Sequence, residues 1–301
     1  MGRKKRFGVS LVIPNYNSLK LLEGNLEYVI EAAYYPGNSI KEVIVVDDGS
    51  YDSSVSFIRK RFPEVKLIRH KVNRGFSAAV NTGVRSAKGD LIALLATDVI
   101  PKRNFLEDIL PLFKDNKVFG VTLHGEGQSW VRGSFEDGFI VHQPGIPDKN
   151  FHDTFWVSGE GGLFRKDFWL KLGGMDEKLF GFLGGGADLN YRALKSGMKL
   201  YWTPQPGLVY KHESIAARLG QKKAERFQEG EKLILIWKNL TSQLLFRKHL
   251  LGLFRRLYQH PGYIKILIKA LARLGLIIKA RRKEKKEGKV SDEAVFARFN
   301  Y

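Results

Sequence analysis

The sequence predicts an α/β protein, an open and mostly parallel twisted sheet flanked by helices, with basic amphipathic helices at its carboxyl end. Three observations carry this prediction. Short apolar runs recur through the first hundred positions, each closed by a polar loop. Helix-length stretches separate these runs, as parallel strands require, because the chain must cross back over the sheet between them. Beyond about residue 240, apolar residues recur at helical spacing among many Lys and Arg.

Residues 9–13, Val-Ser-Leu-Val-Ile, form a first strand closed by Pro14-Asn15-Tyr16-Asn17, and residues 43–46, Val-Ile-Val-Val, a second closed by Asp47-Asp48-Gly49-Ser50. The pattern between them predicts a helix over 18–35. Helices over 52–62 and 76–88 and strands over 65–69 and 91–95 follow, the last ending in Ala96-Thr97-Asp98. In such sheets ligands bind beyond the carboxyl ends of the strands, so the loops carrying Asp47, Asp48 and Asp98 are expected to converge. After residue 117 the pattern becomes less regular and richer in Gly, without internal repeats, and a domain boundary is expected near residue 235.

The 301 residues are 44% hydrophobic, 12% aromatic and 27% charged, a composition able to bury a sizeable core. There is no Cys, which excludes disulfides, thiolate-held metals and thiol nucleophiles. The net charge is +19, and residues 240–301 hold 15 Lys/Arg against 4 Asp/Glu, so more than half of the excess lies in that tail. Lys265, Lys269 and Arg273 interrupt its apolar run too often for a bilayer span. Two readings stand: helices lying in an anionic membrane interface, with the polybasic stretch Lys279 to Lys289 on headgroups, or helices packed on the preceding domain with a solvated end. Met1-Gly2-Arg3-Lys4-Lys5-Arg6 leads directly into a strand with no apolar leader, so a cytoplasmic protein, peripheral on the inner face of the membrane, is expected. Nucleic acid is not an expected partner, because the basic residues interleave with Leu and Ile and no recognition motif accompanies them.

The motifs Val9-Ser-Leu-Val-Ile-Pro-Asn-Tyr-Asn17, Val45-Val-Asp-Asp-Gly-Ser50, Asn73-Arg-Gly-Phe76, Gly89-Asp-Leu-Ile-Ala-Leu-Leu-Ala-Thr-Asp98, Gly173-Gly-Met-Asp-Glu177 and Asp188-Leu-Asn-Tyr-Arg192 occur in this order. Together they resemble family 2 glycosyltransferases of the GT-A fold, including polysaccharide-assembly and rhamnosyltransferase-like members, over roughly residues 8–215. The resemblance implies a transferase domain over 1–235, with a nucleotide-sugar-binding half at 8–117 and an acceptor half at 118–235, and a helical tail over 236–301. It implies a hexosyltransferase that moves a sugar from a nucleoside-diphosphate sugar to a saccharide or lipid-linked acceptor, with inversion, in cell-surface polysaccharide or glycolipid synthesis. It assigns Pro14, Tyr16, Asp47, Asp48, Asn73 and Asp98 to the nucleotide sugar, Asp48 to the base in preference to Asp47. Either acid can instead close the turn that follows. Asp98 ends the family's DxD-type motif, whose last acid holds a divalent cation, Mg²⁺ or Mn²⁺, on the donor diphosphate; the first acid is replaced by Ala96. His212 matches a position of a second metal ligand.

The resemblance also exposes a gap. The family's Glu-Asp pair, whose Asp deprotonates the acceptor, is replaced by Gly185-Gly186. A positioned base contributes about two to four decades of rate, so its loss has to be made good. Either Asp188 or Glu160 substitutes, or the protein is a catalytically weak binding scaffold, or the loop shifts or the acceptor supplies the base. Trp130, Trp156, Trp169 and Trp202 are candidates for a sugar-stacking platform or for core.

Overall fold

The computed structural model describes residues 7–146, 148–181, 184–211 and 221–299. The first half alternates as expected: β1 (Val9–Asn15), α1 (Leu19–Tyr34), β2 (Ile40–Asp47), α2 (Ser54–Arg61), β3 (Lys66–Arg69), α3 (Phe76–Ser86) and β4 (Leu91–Leu95). The second half is more irregular: β5 (Val99–Pro101), β6 (Val118–Thr122), the hairpin β7 (Val131–Glu136) and β8 (Phe139–Pro144), β9 (His152–Asp153), β10 (Gly161–Arg165), α4 (Lys166–Lys171), α5 (Gly184–Lys195), β11 (Lys199–Trp202) and β12 (Leu208–Tyr210). Among the described residues, five α-helices follow: α6 (Gln221–Asn239), α7 (Gln243–Gln259), α8 (Ile264–Leu271), α9 (Leu274–Glu287) and α10 (Asp292–Ala297).

The main sheet has the order β3-β2-β1-β4-β10-β6-β11-β9. β1 runs parallel to β2 and β4, whereas β10 enters antiparallel between β4 and β6. Alternate residues of each strand feed opposite faces. Leu11, Val45 and Ala93 pack under α1, while Val12, Ile44 and Leu94 pack toward α3. Burial on both faces explains why these strands read as continuous apolar runs.

The charge boundary near residue 235 is not a packing boundary. It falls inside α6, and Leu240, Leu253, Ala270, Ile277 and Phe296 belong to the same apolar cluster as Val12 and Ile44. Buried Asp292 on α10 accepts hydrogen bonds from the Tyr191 hydroxyl at 2.8 Å, Lys195 Nζ at 2.8 Å and the Thr241 and Ser242 amides at 2.7 and 2.6 Å. The tail therefore closes one face of the sheet. Leu244, Leu251, Phe254 and Tyr258 nonetheless point outward from α7, and Ile268 from α8.

Candidate active site

β1, β2 and β4 end at the same edge of the sheet, so the loops bearing Pro14, Tyr16, Asp47, Asp48 and Asp98 do gather there. Asp47, the last residue of β2, and Asp48, the next, are built into that edge. The buried Asp47 carboxylate accepts from Asn15 Nδ2 at 2.9 Å and the Ser50 amide at 3.1 Å, and faces Arg69 Nε at 3.5 Å. Asp48, also buried, accepts from the Arg74 amide at 2.9 Å and the Gly75 amide at 2.8 Å and lies 2.6 Å from His70 Nδ1. It thereby fixes the Asn73-Arg74-Gly75 turn against β2. Gly75 has φ +92°, and a Cβ there would strike the Gly181 carbonyl, so only glycine fits. Asn73 stays exposed, its side chain accepting from the Gly75 amide at 3.1 Å. Pro14 is half-buried beside Val46. At the rim, exposed Tyr16 meets exposed Tyr51 edge-to-face with ring centroids 6.3 Å apart.

The third acid, Asp98, follows β4, and the start of β10 lies across from that strand's end. The Ala96 amide donates to the Glu160 carbonyl at 2.9 Å, which sets Glu160 directly across from the position where the acidic motif lacks its first acid. Asp98 is half-buried and Glu160 exposed. Burial first, then the negative charges of Glu160 and Asp98, push the Tyr210 hydroxyl above its ordinary pKa. Glu160, Tyr210, Ser158, Trp156, Thr122, Val131 and Pro144 are among the residues lining a cleft of about 560 Å³.

These donors fit a hard divalent cation, which takes one or two carboxylates and completes its shell with phosphate and water. Among the described residues no group of three or more His, Asp or Glu could hold a metal alone. His124 also lines the cleft, but its two ring nitrogens face the carbonyls of Gly125 and Thr203 at 2.8 and 2.6 Å. His212 lies outside the described residues.

Asp188 does not face an acceptor, which corrects its expected candidacy as a base. It is completely buried, paired with Arg192 at 2.7 Å and Lys238 at 2.8 Å, and it accepts from Asn239 Nδ2 at 2.9 Å. Burial raises its pKa, yet Arg192 and then Lys238 outweigh this and hold it below the ordinary value. Gly185 and Gly186 occupy the first turn of α5. A side chain at Gly185 would run into Ser77 Oγ, whereas one at Gly186 meets nothing nearer than Trp156 Cζ2 at 3.9 Å.

Of the four tryptophans named as candidates, Trp130, Trp169 and Trp202 are buried, and Trp156 is half-buried and lines the cleft. Tyr51 and Tyr210 escape sequence reasoning. An exposed tyrosine after a turn has no periodic signature, and Tyr210 gains its acidic neighbours only through the pairing of β5 with β12 and of β4 with β10.

Comparison with known proteins places this architecture. Residues 10–170 match the model of glycosyl transferase family 2. The chain is 31% identical over 250 residues to the glycosyltransferase AglE of Haloferax volcanii, covering 76% of this chain and 74% of the relative. It is 27% identical over 180 residues to the pre-mycofactocin glycosyltransferase of Mycobacterium tuberculosis, covering 57% of this chain but only 38% of that protein, well short of its full length. The fold is similar to that of a mannosyltransferase from Pyrobaculum calidifontis, solved with GDP-Man and Mn²⁺, at a TM-score of 0.57 and 18% identity over 98% of this chain and 86% of the other. The mixed sheet with its acidic carboxyl edge is thus a GT-A fold, and the chain belongs to glycosyltransferase family 2.

Proposed function

We propose that the protein is a hexosyltransferase that carries a sugar from a nucleoside-diphosphate donor to a saccharide or lipid-linked acceptor, with inversion, in the synthesis of a surface polysaccharide or glycolipid. The observation that carries this reading is the approach of Glu160, on the wall of the 560 Å³ cleft, to Ala96 at the end of β4, two residues before Asp98. The relatives named above are glycosyltransferases, which favours an enzyme over a binding scaffold.

In this reading Tyr16 and Tyr51 offer an aromatic rim for the nucleotide base. The loops that Asp47 and Asp48 pin in place, with Pro14 and Asn73, shape the ribose pocket. A preformed loop loses less entropy on binding than a mobile one. Asp98 and Glu160 would hold Mg²⁺ or Mn²⁺, which supplies charge stabilisation for the departing diphosphate. This gives Glu160 the place of the acid missing at Ala96, on the diphosphate side of the cleft, in preference to the base role expected from sequence. Trp156 and Ser158 line the space left for the acceptor.

The outer face of the tail supports a peripheral site of action on the inner, anionic face of the cell membrane. On α7, Leu244, Leu251, Phe254 and Tyr258 alternate with exposed Arg247, Lys248 and Arg255, a pattern suited to anionic headgroups. Among the described residues no helix is long and apolar enough to cross a membrane.

Calorimetric titration of UDP, dTDP and GDP, with and without Mn²⁺, tests the donor site. We expect one of them to bind with Mn²⁺, and Asp98→Asn and Glu160→Gln each to weaken the Mn²⁺-dependent part at least tenfold. Absence of heat with all three would remove the donor site.

A further inference from the structure

Resting on the transferase reading above, we infer that His142 is the general base that takes the proton of the acceptor hydroxyl. The gap to be filled lies at Gly186, where the resemblance places a carboxylate. The Trp156 indole sits against that position, its Cζ2 being 3.9 Å from where a side chain at Gly186 would begin. The same indole meets the His142 ring edge-to-face, with centroids 5.6 Å apart and planes at 66°. Trp156 therefore has the vacant base position and an imidazole on its periphery together.

β8 sets His142 beside the cleft, of whose wall its neighbours Pro144 and Trp156 are part and His142 itself is not. Successive side chains of a strand alternate in direction, so His142 shares a face with Pro144, and Pro144 and Trp156 both line the cleft. The ring leans on Phe155, with centroids 5.3 Å apart, and the residue is exposed. Its nitrogens accept or donate no hydrogen bond among the described residues. His70, by contrast, has its two nitrogens on Asp48 and Thr82, and His249 on Gly138 and Trp237.

The charged groups beside this position come from α6. Lys232 repels a proton on His142, and Glu231 is buried and accepts from the Gly184 amide at 2.7 Å. Glu231 thus caps α5 and does not reach into the cleft as an open base. Packing of the ring against Phe155 and Trp156, and then the charge of Lys232, lower the His142 pKa below its ordinary 6.5. The imidazole is therefore neutral at pH 7 and able to take up a proton.

The step balances without a further reactant. An imidazole nitrogen removes the hydroxyl proton as the acceptor oxygen bonds to the anomeric carbon. The bond from that carbon to the phosphate oxygen breaks, and its electron pair leaves with the nucleoside diphosphate. The imidazolium then returns its proton to water.

The test compares wild type, His142→Ala and His142→Ala/Gly186→Asp. UDP-, dTDP- and GDP-sugars serve as donors with Mn²⁺, 4-nitrophenyl glycosides as acceptors, and released nucleoside diphosphate is the readout. We expect His142→Ala to bind the nucleoside diphosphate within twofold of wild type in calorimetry. Its kcat should fall about 10²–10⁴-fold with donor KM unchanged. Free imidazole, or Gly186→Asp in the same chain, should recover at least tenfold. Turnover of His142→Ala within threefold of wild type overturns the assignment, as does a loss that neither imidazole nor Gly186→Asp relieves. A wild type that binds nucleotide but cleaves no donor overturns it too, and leaves the donor site standing. No nucleotide binding at all removes the transferase reading itself.

Discussion

Asp188 illustrates how a motif residue is spent on holding the chain together. Its carboxylate lies between Arg192 on its own helix and Lys238 and Asn239 on α6, with no exposed surface. Removing one member of a buried ion pair leaves an uncompensated charge and costs about 3–5 kcal/mol. Asp188→Asn should therefore destabilise the fold by about that amount in chemical denaturation, while the folded fraction binds nucleotide as wild type does. The pH dependence has a definite sign. Because the folded pKa lies below the ordinary 3.8, the stabilisation is complete above that value and is lost as pH falls through the folded pKa. The stability gap between wild type and Asp188→Asn should narrow as pH drops below 3.8. A gap constant from pH 6 to pH 3 would contradict this account.

At the scale of elements, β10 and the first turn of α5 decide the shape of the site. β10 runs against its neighbours and brings Glu160 to Ala96, an arrangement that no period in the local sequence announces. In α5 the two adjacent glycines differ in their surroundings. A Cβ at Gly185 would displace Ser77 Oγ, which donates to the Phe180 carbonyl at 2.6 Å, so Gly185→Ala should cost about 1–3 kcal/mol. Gly186 has an ordinary φ and open space, so Gly186→Ala should be neutral or stabilise by up to about 1 kcal/mol through reduced freedom of the unfolded chain. Midpoints of urea unfolding separate the two, and equal effects would mean that Ser77 yields freely.

The molecule as a whole joins the GT-A sheet to a basic surface through one apolar core. A chain ending near residue 240 would expose Leu233 and Ile236 and lose every contact to Asp292, so it is expected to aggregate in size-exclusion chromatography. Membrane binding is better tested on the surface. Leu251 and Phe254 are 72% and 73% exposed, so Leu251→Ser/Phe254→Ser should leave the unfolding midpoint nearly unchanged. It should also reduce sedimentation with phosphatidylserine vesicles severalfold. Equal pelleting of wild type and variant would retire the membrane reading.

The strands, their order of appearance and the acidic loops after β2 and β4 follow from the sequence by itself, because apolar runs, turn residues and helical spacing are local properties of the chain. Which carboxylates stay open to a ligand is a different matter, settled only by tertiary structure. Asp47 and Asp48 are occupied by donors from loops of β1 and α3, Asp188 by a helix that follows much later, and Glu160 is brought to Ala96, two residues before Asp98, by an antiparallel strand. Whether a buried acid serves chemistry or cohesion depends on which donors reach it, and those donors come from elements far apart in the chain.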